Sequence, residues 1–136
     1  MKLALIFIKC SLIVIIVSSF IVSCEDSSGP YDTYFHMKVD SISIPEEIMQ
    51  TDTLEILFYA TLPSCCYNFH RFDARGDLNL LNMKLIGSLR HNIPCCTAIK
   101  YIEKTYTVDE LLTGYFYIEV KQPDNSSIID SVFVLR

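Results

Sequence analysis

Along most of the chain apolar residues recur at every second position, the spacing that lines one face of a half-buried β-strand. Leu54, Ile56, Phe58, Ala60 and Leu62 make the clearest run, stopped by Pro63, and Phe116, Ile118 and Val120 make another. The final strand sets Ile128, Asp130, Val132 and Val134 against Ile129, Phe133 and Leu135. In YFHMKVDSISI, Tyr34 to Ile44, the parity changes partway: Phe35, Met37 and Val39 share one face, and Ile42 and Ile44 the other. Such a change predicts a bulge or a move from one sheet to another. Further strands are predicted over about 67–74, 78–89 and 97–107. Turn residues separate them at Pro45-Glu46-Glu47, Arg75-Gly76-Asp77 and Gln122 to Ser127, and Val108 to Leu112 reads as the one helical turn.

Seven short strands in about 100 residues predict an all-β domain, an antiparallel sandwich that resembles immunoglobulin and fibronectin type III domains. The stretch LLTGYFYIEV, Leu111 to Val120, is similar to the approach to the sixth strand of such sandwiches. That resemblance implies a tyrosine corner, in which Tyr115 or Tyr117 returns its hydroxyl to the preceding loop.

The first residues, MKLALIFIKCSLIVIIVSSFIVSC, follow a different rule. Lys2 and Lys9 precede an apolar stretch and small residues, the plan of a secretory signal helix. Ile21-Val22-Ser23-Cys24 resembles the lipobox of bacterial lipoproteins. The resemblance implies removal of residues 1–23 and attachment of fatty acyl chains such as palmitate to Cys24, which holds the chain on a membrane of the cell envelope. The outer membrane is the expected one, with either leaflet open. Glu25 and Asp26, directly after the cysteine, resemble the surface-export signals of Bacteroidota lipoproteins and also the inner-membrane retention signals of other bacteria. A flexible tether over 24–33 then leads to the domain at 34–136.

Charge narrows the partners. Removing residues 1–23 removes two of the 11 basic residues and none of the 16 acidic ones, so the mature chain carries 9 − 16 = −7. Nucleic acid is excluded as an expected partner, and the folded domain has no electrostatic affinity for anionic headgroups. The expected partners are the membrane, through the lipid, and a protein or carbohydrate ligand.

Four cysteines follow Cys24 in two doublets, Cys65-Cys66 and Cys95-Cys96. In alternating strands the second-to-third and fourth-to-fifth connections fall at the same end, which makes the doublets neighbours. Outside the cytoplasm such neighbours oxidise. Bonding within a doublet strains an eight-membered ring, which leaves Cys65–Cys96 with Cys66–Cys95, or Cys65–Cys95 with Cys66–Cys96. The competing arrangement is a metal site of Cys66, His70, His91 and Cys95, two thiolates and two imidazoles. Residues four apart on a strand stand about 13 Å apart, too far to share one ion without a bend. Cys65 and Cys96 would also be left over, so no metal or other cofactor is expected. A redox-active dithiol is disfavoured because adjacent cysteines lack the two-residue spacer of C-x-x-C.

No catalytic set emerges from His36, His70 and His91, and no serine stands in a G-x-S-x-G context. The chain therefore reads as a non-enzymatic, lipid-anchored interaction or structural module, with a carbohydrate- or ligand-binding accessory lipoprotein as the alternative. Arg75-Gly76-Asp77 is expected to be an ordinary hairpin turn rather than an adhesion motif. Asp40-Ser41-Ile42, Asp52-Thr53-Leu54 and Asp130-Ser131-Val132 each resemble the O-glycosylation sequon of Bacteroidota. Tyr101, Tyr115 and Tyr117 are candidate contact residues for carbohydrate or protein, and cross-strand packing accounts for them equally well. A row of exposed aromatics on one sheet would point to carbohydrate, and an apolar patch beside the loops to protein.

Overall fold

A computed structural model of the protein describes residues 29–136. The signal segment, Cys24 and the tether as far as Ser28 lie outside the described residues. Nine strands follow: β1 Tyr31–His36, β2 Ser41–Ser43, β3 Glu47–Met49, β4 Leu54–Leu62, β5 Tyr67–Asp77, β6 Leu80–His91, β7 Lys100–Val108, β8 Gly114–Lys121 and β9 Ser127–Leu135. The larger sheet runs β1-β6-β8-β9-β3, with β5 also paired to β6, and the smaller runs β2-β4-β7.

The all-β expectation holds, but the strand plan differs from a seven-stranded antiparallel sandwich. β5 takes one whole edge of β6, so β1 and β8 share the other: β1 runs antiparallel to Ile86–His91, and β8 runs parallel to Leu80–Met83. A second parallel pair joins β3 to β9. β3 falls where the chain was expected to turn, because Ile48 points inward beside Val134 while Glu47 and Met49 stay exposed. The first strand also starts at Tyr31 rather than Tyr34.

The parity change in the first strand is a sheet switch. Met37 and Val39 are fully buried between β1 in the larger sheet and β2 in the smaller. Asp40 then donates its N–H to the Tyr59 carbonyl at 2.8 Å and starts the new ladder. A crossing strand leaves backbone groups without ladder partners, and buried ones cost free energy. Gln122, the one buried polar side chain among the described residues, meets that need. Its Oε1 accepts from Val39 N–H at 3.0 Å, and its Nε2 donates to the Val39 carbonyl at 3.2 Å.

The core forms from the alternating runs: Leu54, Ile56 and Phe58 of β4 against Leu81, Met83 and Leu85 of β6, Phe116, Ile118 and Val120 of β8, and Val132 and Val134 of β9. Where β5 and β7 face each other without pairing, aromatic rings close the gap. Phe72 packs against Phe58, Phe69 and Tyr106 at centroid distances of 5.2, 4.8 and 5.2 Å. Lys104 lies 5.5 Å over the Phe69 ring, and Lys100 donates to Asn68 Oδ1 at 2.8 Å. Gly87 allows β1 to approach β6, since a Cβ there would come within 2.9 Å or less of Phe35 and Met37 side-chain atoms.

Two smaller expectations are corrected. Arg75-Gly76-Asp77 lies in β5, paired with Asn82, Leu81 and Leu80, and the turn is Leu78-Asn79. Val108 to Leu112 forms no helical turn; it leaves β7 as an irregular loop whose Leu111 plugs the core. Gly114, at φ 110°, then turns the chain into β8 in a conformation that favours glycine.

Two substitutions test this account of the switch. Gln122→Ala strands both polar groups of Val39 and is expected to lower stability by about 1–3 kcal/mol in urea titration. Gly87→Ala overfills the β1–β6 contact and is expected to cost a similar amount, about 1–3 kcal/mol.

Candidate functional site

The cysteine doublets lie in the β4–β5 and β6–β7 connections, each of which carries the chain between the two sheets. Asn92, at φ 58°, turns the chain out of β6 toward the second doublet. The bonds are Cys65–Cys96 and Cys66–Cys95, each with a Cα–Cα distance of 5.6 Å, within the ordinary disulfide range of about 4.4–6.8 Å. Cys66 is buried, and its carbonyl accepts from Arg90 N–H at 3.1 Å and from Asn68 Nδ2 at 3.4 Å, which ties the staple to the ends of β5 and β6. Cys65, Cys95 and Cys96 are exposed. Of the two pairings open from sequence, this is the one in which the doublets meet head to tail.

The same bonds dissolve the alternative metal set. The sulfurs of Cys66 and Cys95 are joined to each other, and the imidazoles of His70 and His91 turn to β1 instead. His91 stacks on Tyr31 at 4.7 Å, with Nε2 2.8 Å from the Thr33 hydroxyl, and His70 packs on Tyr34 at 4.4 Å. His36, at the end of β1, donates from Nε2 to the Lys121 carbonyl at 2.9 Å. All three histidines thus fasten the first strand to the body. Among the described residues no cluster of His, Cys, Asp or Glu is placed to hold a metal ion.

A second feature is built by alternation. Because Phe116, Ile118 and Val120 point inward, Tyr115, Tyr117, Glu119 and Lys121 must stand on the outer face of the larger sheet. Their cross-strand neighbours on β9 are Phe133, Ser131, Ile129 and Ser127, and Tyr117 and Glu119 face Leu80 and Asn82 on β6. Tyr115 is 59% and Tyr117 46% exposed, so neither forms the expected tyrosine corner. Their rings stack at 6.3 Å with an interplanar angle of 29°, and Phe133 braces Tyr115 edge-on at 5.0 Å. Ile129 and Leu80 extend this apolar area on either side. Tyr101 is exposed on β7 of the other sheet and does not join it.

The same face turns polar toward the end of β8. Lys121 pairs with Glu119, and Ser127 donates to Glu119 Oε1 at 2.8 Å. These two hydrogen bonds hold the Glu119 carboxyl below its usual range, so it stays ionised at mildly acid pH. Two adjoining concavities of about 290 and 300 Å³ share Lys84 and Lys121 in their walls; Asp73, Arg75, Asn82 and Met83 complete one, and His36, Gln122 and Asn125 the other. At the far end of the domain a cleft of about 500 Å³ lies between the Leu78-Asn79 turn and the Leu111-Leu112 loop, with Leu78 and Leu112 exposed at its rim. Sequence reasoning identified the tyrosines and both doublets. It missed Lys84, Lys121 and Asn82, because their convergence depends on β8 lying parallel to β6.

This arrangement supports binding by ring stacking, hydrogen bonding and charge. Since both bridges close nearly the same loop, the second constrains the unfolded chain less than the first, which contributes about 3–4 kcal/mol. Replacing Cys65 and Cys96 by serine, or Cys66 and Cys95, is therefore expected to cost clearly less than half of what replacing all four costs in denaturant unfolding. Compared with known protein families, curated proteins and solved structures, the chain matches none of them.

Proposed function

We propose that this protein is a lipid-anchored, non-catalytic component of a bacterial cell envelope that presents a stapled β-domain as a binding module. The observation that carries the reading is the pair of exposed, stacked tyrosines, Tyr115 and Tyr117, on the outer face of a sheet otherwise closed over its core. Large aromatic side chains left on a surface and braced there by Phe133 offer rigid, amphipathic contact area at low entropic cost. The disulfides fit a chain that folds in an oxidising compartment, as a lipobox at Ile21 to Cys24 implies.

The architecture we read as a variant of the immunoglobulin-like sandwich. β2-β4-β7 stands as one sheet, and the β8–β9 hairpin with β3 alongside stands in the other. The departure lies in the β5–β6 hairpin, whose second strand runs parallel to β8. In this reading the acylated Cys24 lies just before β1, whose first residue pairs with His91 beside the disulfide loop. The Leu78-Asn79 turn lies at the opposite end of β6, about 36 Å along the strand. The staple then faces the membrane, and the far loops and the tyrosine face stand clear of it.

Intact mass of the membrane-purified protein tests the anchor. The expected mass is that of residues 24–136 plus two or three acyl chains. A mass equal to the whole 136-residue chain, or to a mature chain without lipid, contradicts the proposal.

A further inference from the structure

The charge around the tyrosine face narrows what it can bind. The mature chain is acidic at −7, yet four of its nine basic residues stand on β5, the first half of β6 and the end of β8, on this face. On β5, Phe72 and Ala74 pack against the core, so Arg71 and Arg75 point outward, and Lys84 and Lys121 follow from the inward Met83 and Val120. Asp73, Asp77, Glu119 and, opposite Phe133, Glu47 share the face, but Lys121 is the only one of the four cations held in an ion pair among the described residues. Lys84 and Arg75 are exposed and make none, although Asp73 lies directly across from Lys84. A concavity in which Arg75 and Lys84 outnumber Asp73 and make no ion pair, in a protein with an excess of acid, favours an anionic ligand.

The geometry sets the ligand's length. Along β8, Tyr115 to Lys121 spans about 20 Å, with the stacked rings at one end, Asn82 beside Glu119 in the middle, and the Lys84–Lys121 concavities at the other. A surface of that length, open rather than enclosed, suits an extended polymer. The polymer needs flat apolar faces to lie on the tyrosines, hydroxyls to reach Asn82 and Ser131, and acidic groups to meet the lysines. Sugar rings bearing carboxylate or sulfate have all three, since each ring presents a C–H face and a polar rim.

We infer that the outer face of β6-β8-β9 binds an acidic polysaccharide, stacked on Tyr115 and Tyr117 and held by Arg75, Lys84 and Lys121. This rests on the binding-module reading above and supplies its ligand class. The face is a separate feature from the disulfide staple, and none of these side chains belongs to the core.

The test is biolayer interferometry of the full chain in detergent against immobilised polygalacturonate, chondroitin sulfate and a neutral glucomannan, alongside sedimentation of the same samples. The expected result is binding to at least one acidic polymer that weakens as salt is raised and falls tenfold or more in both Tyr115→Ala/Tyr117→Ala and Arg75→Gln/Lys84→Gln. All four side chains are exposed, so both variants are expected to keep the wild-type melting temperature; a variant that melts lower is replaced by Tyr117→Ser or Lys84→Gln alone. Equal binding to glucomannan that depends on the tyrosines and ignores Arg75→Gln/Lys84→Gln overturns the acidic class and leaves the module standing. So does a dimer dispersed by the tyrosine substitutions, which assigns the face to a second copy. A monomer that binds none of the three polymers overturns the polysaccharide proposal, and if the tyrosine substitutions also leave every property of the protein unchanged, the binding face falls with it.

Discussion

Two sheets in this domain share no hydrogen-bonded ladder, and that absence sets the problem the rest of the structure solves. The chain passes between them from β1 to β2, β2 to β3, β3 to β4, β4 to β5, β6 to β7 and β7 to β8. With no backbone pairing between sheets, their relative position depends on side-chain packing and on what fixes those crossings. Two crossings, β4–β5 and β6–β7, are bonded to each other through both cysteine doublets. A third, β1–β2, is held by the paired hydrogen bonds between Gln122 and Val39. Phe72 and its aromatic neighbours fill the side where β5 and β7 fail to meet. A small domain with an open side gains most from covalent closure there, because its core alone yields only a thin margin of stability.

What was legible in the sequence was whatever local alternation encodes. β4, β8 and β9 were readable because each buries one face and exposes the other, as Leu54 to Leu62 does over its whole length. The parity change at Val39 announced the sheet switch for the same reason. The misreadings share a different cause, which is pairing between residues remote in sequence. β3 is three residues long and exists because β9 lies beside it, so Glu46-Glu47 looked like a turn. Arg75 to Asp77 carries a glycine between charges and looked like a hairpin tip, yet β6 pairs with it throughout. Tyr115 and Tyr117 were readable as strand residues, but their face depends on which parity the core takes, and the core takes Phe116 and Ile118. Gln122 stood inside a stretch rich in turn residues, and nothing local distinguishes a buried amide there from a solvated one.

These points join the architecture to the proposed role. The fold places its aliphatic alternation in the interior and leaves a braced aromatic pair outside. Beside that pair, the parallel alignment of β8 with β6 brings Lys121 level with Lys84 and makes a basic concavity on an acidic protein. The histidines, which the sequence offered as bases or ligands, instead hold β1 along its length, His91 at Tyr31, His70 at Tyr34 and His36 at its end. Staple, strand clasp and the proposed binding face thus occupy separate parts of one body.

The central claim is that covalent bonds tie the β4–β5 and β6–β7 crossings together, and partial reduction with stepwise alkylation of the natively produced protein addresses it most directly. The account predicts no free thiol among these four cysteines before reduction. Cys65 and Cys96 are then labelled together first, because both are exposed while Cys66 is buried. Cys66 and Cys95 follow as a second pair. Free thiols in the untreated protein, or joint release of Cys65 with Cys66, would contradict it.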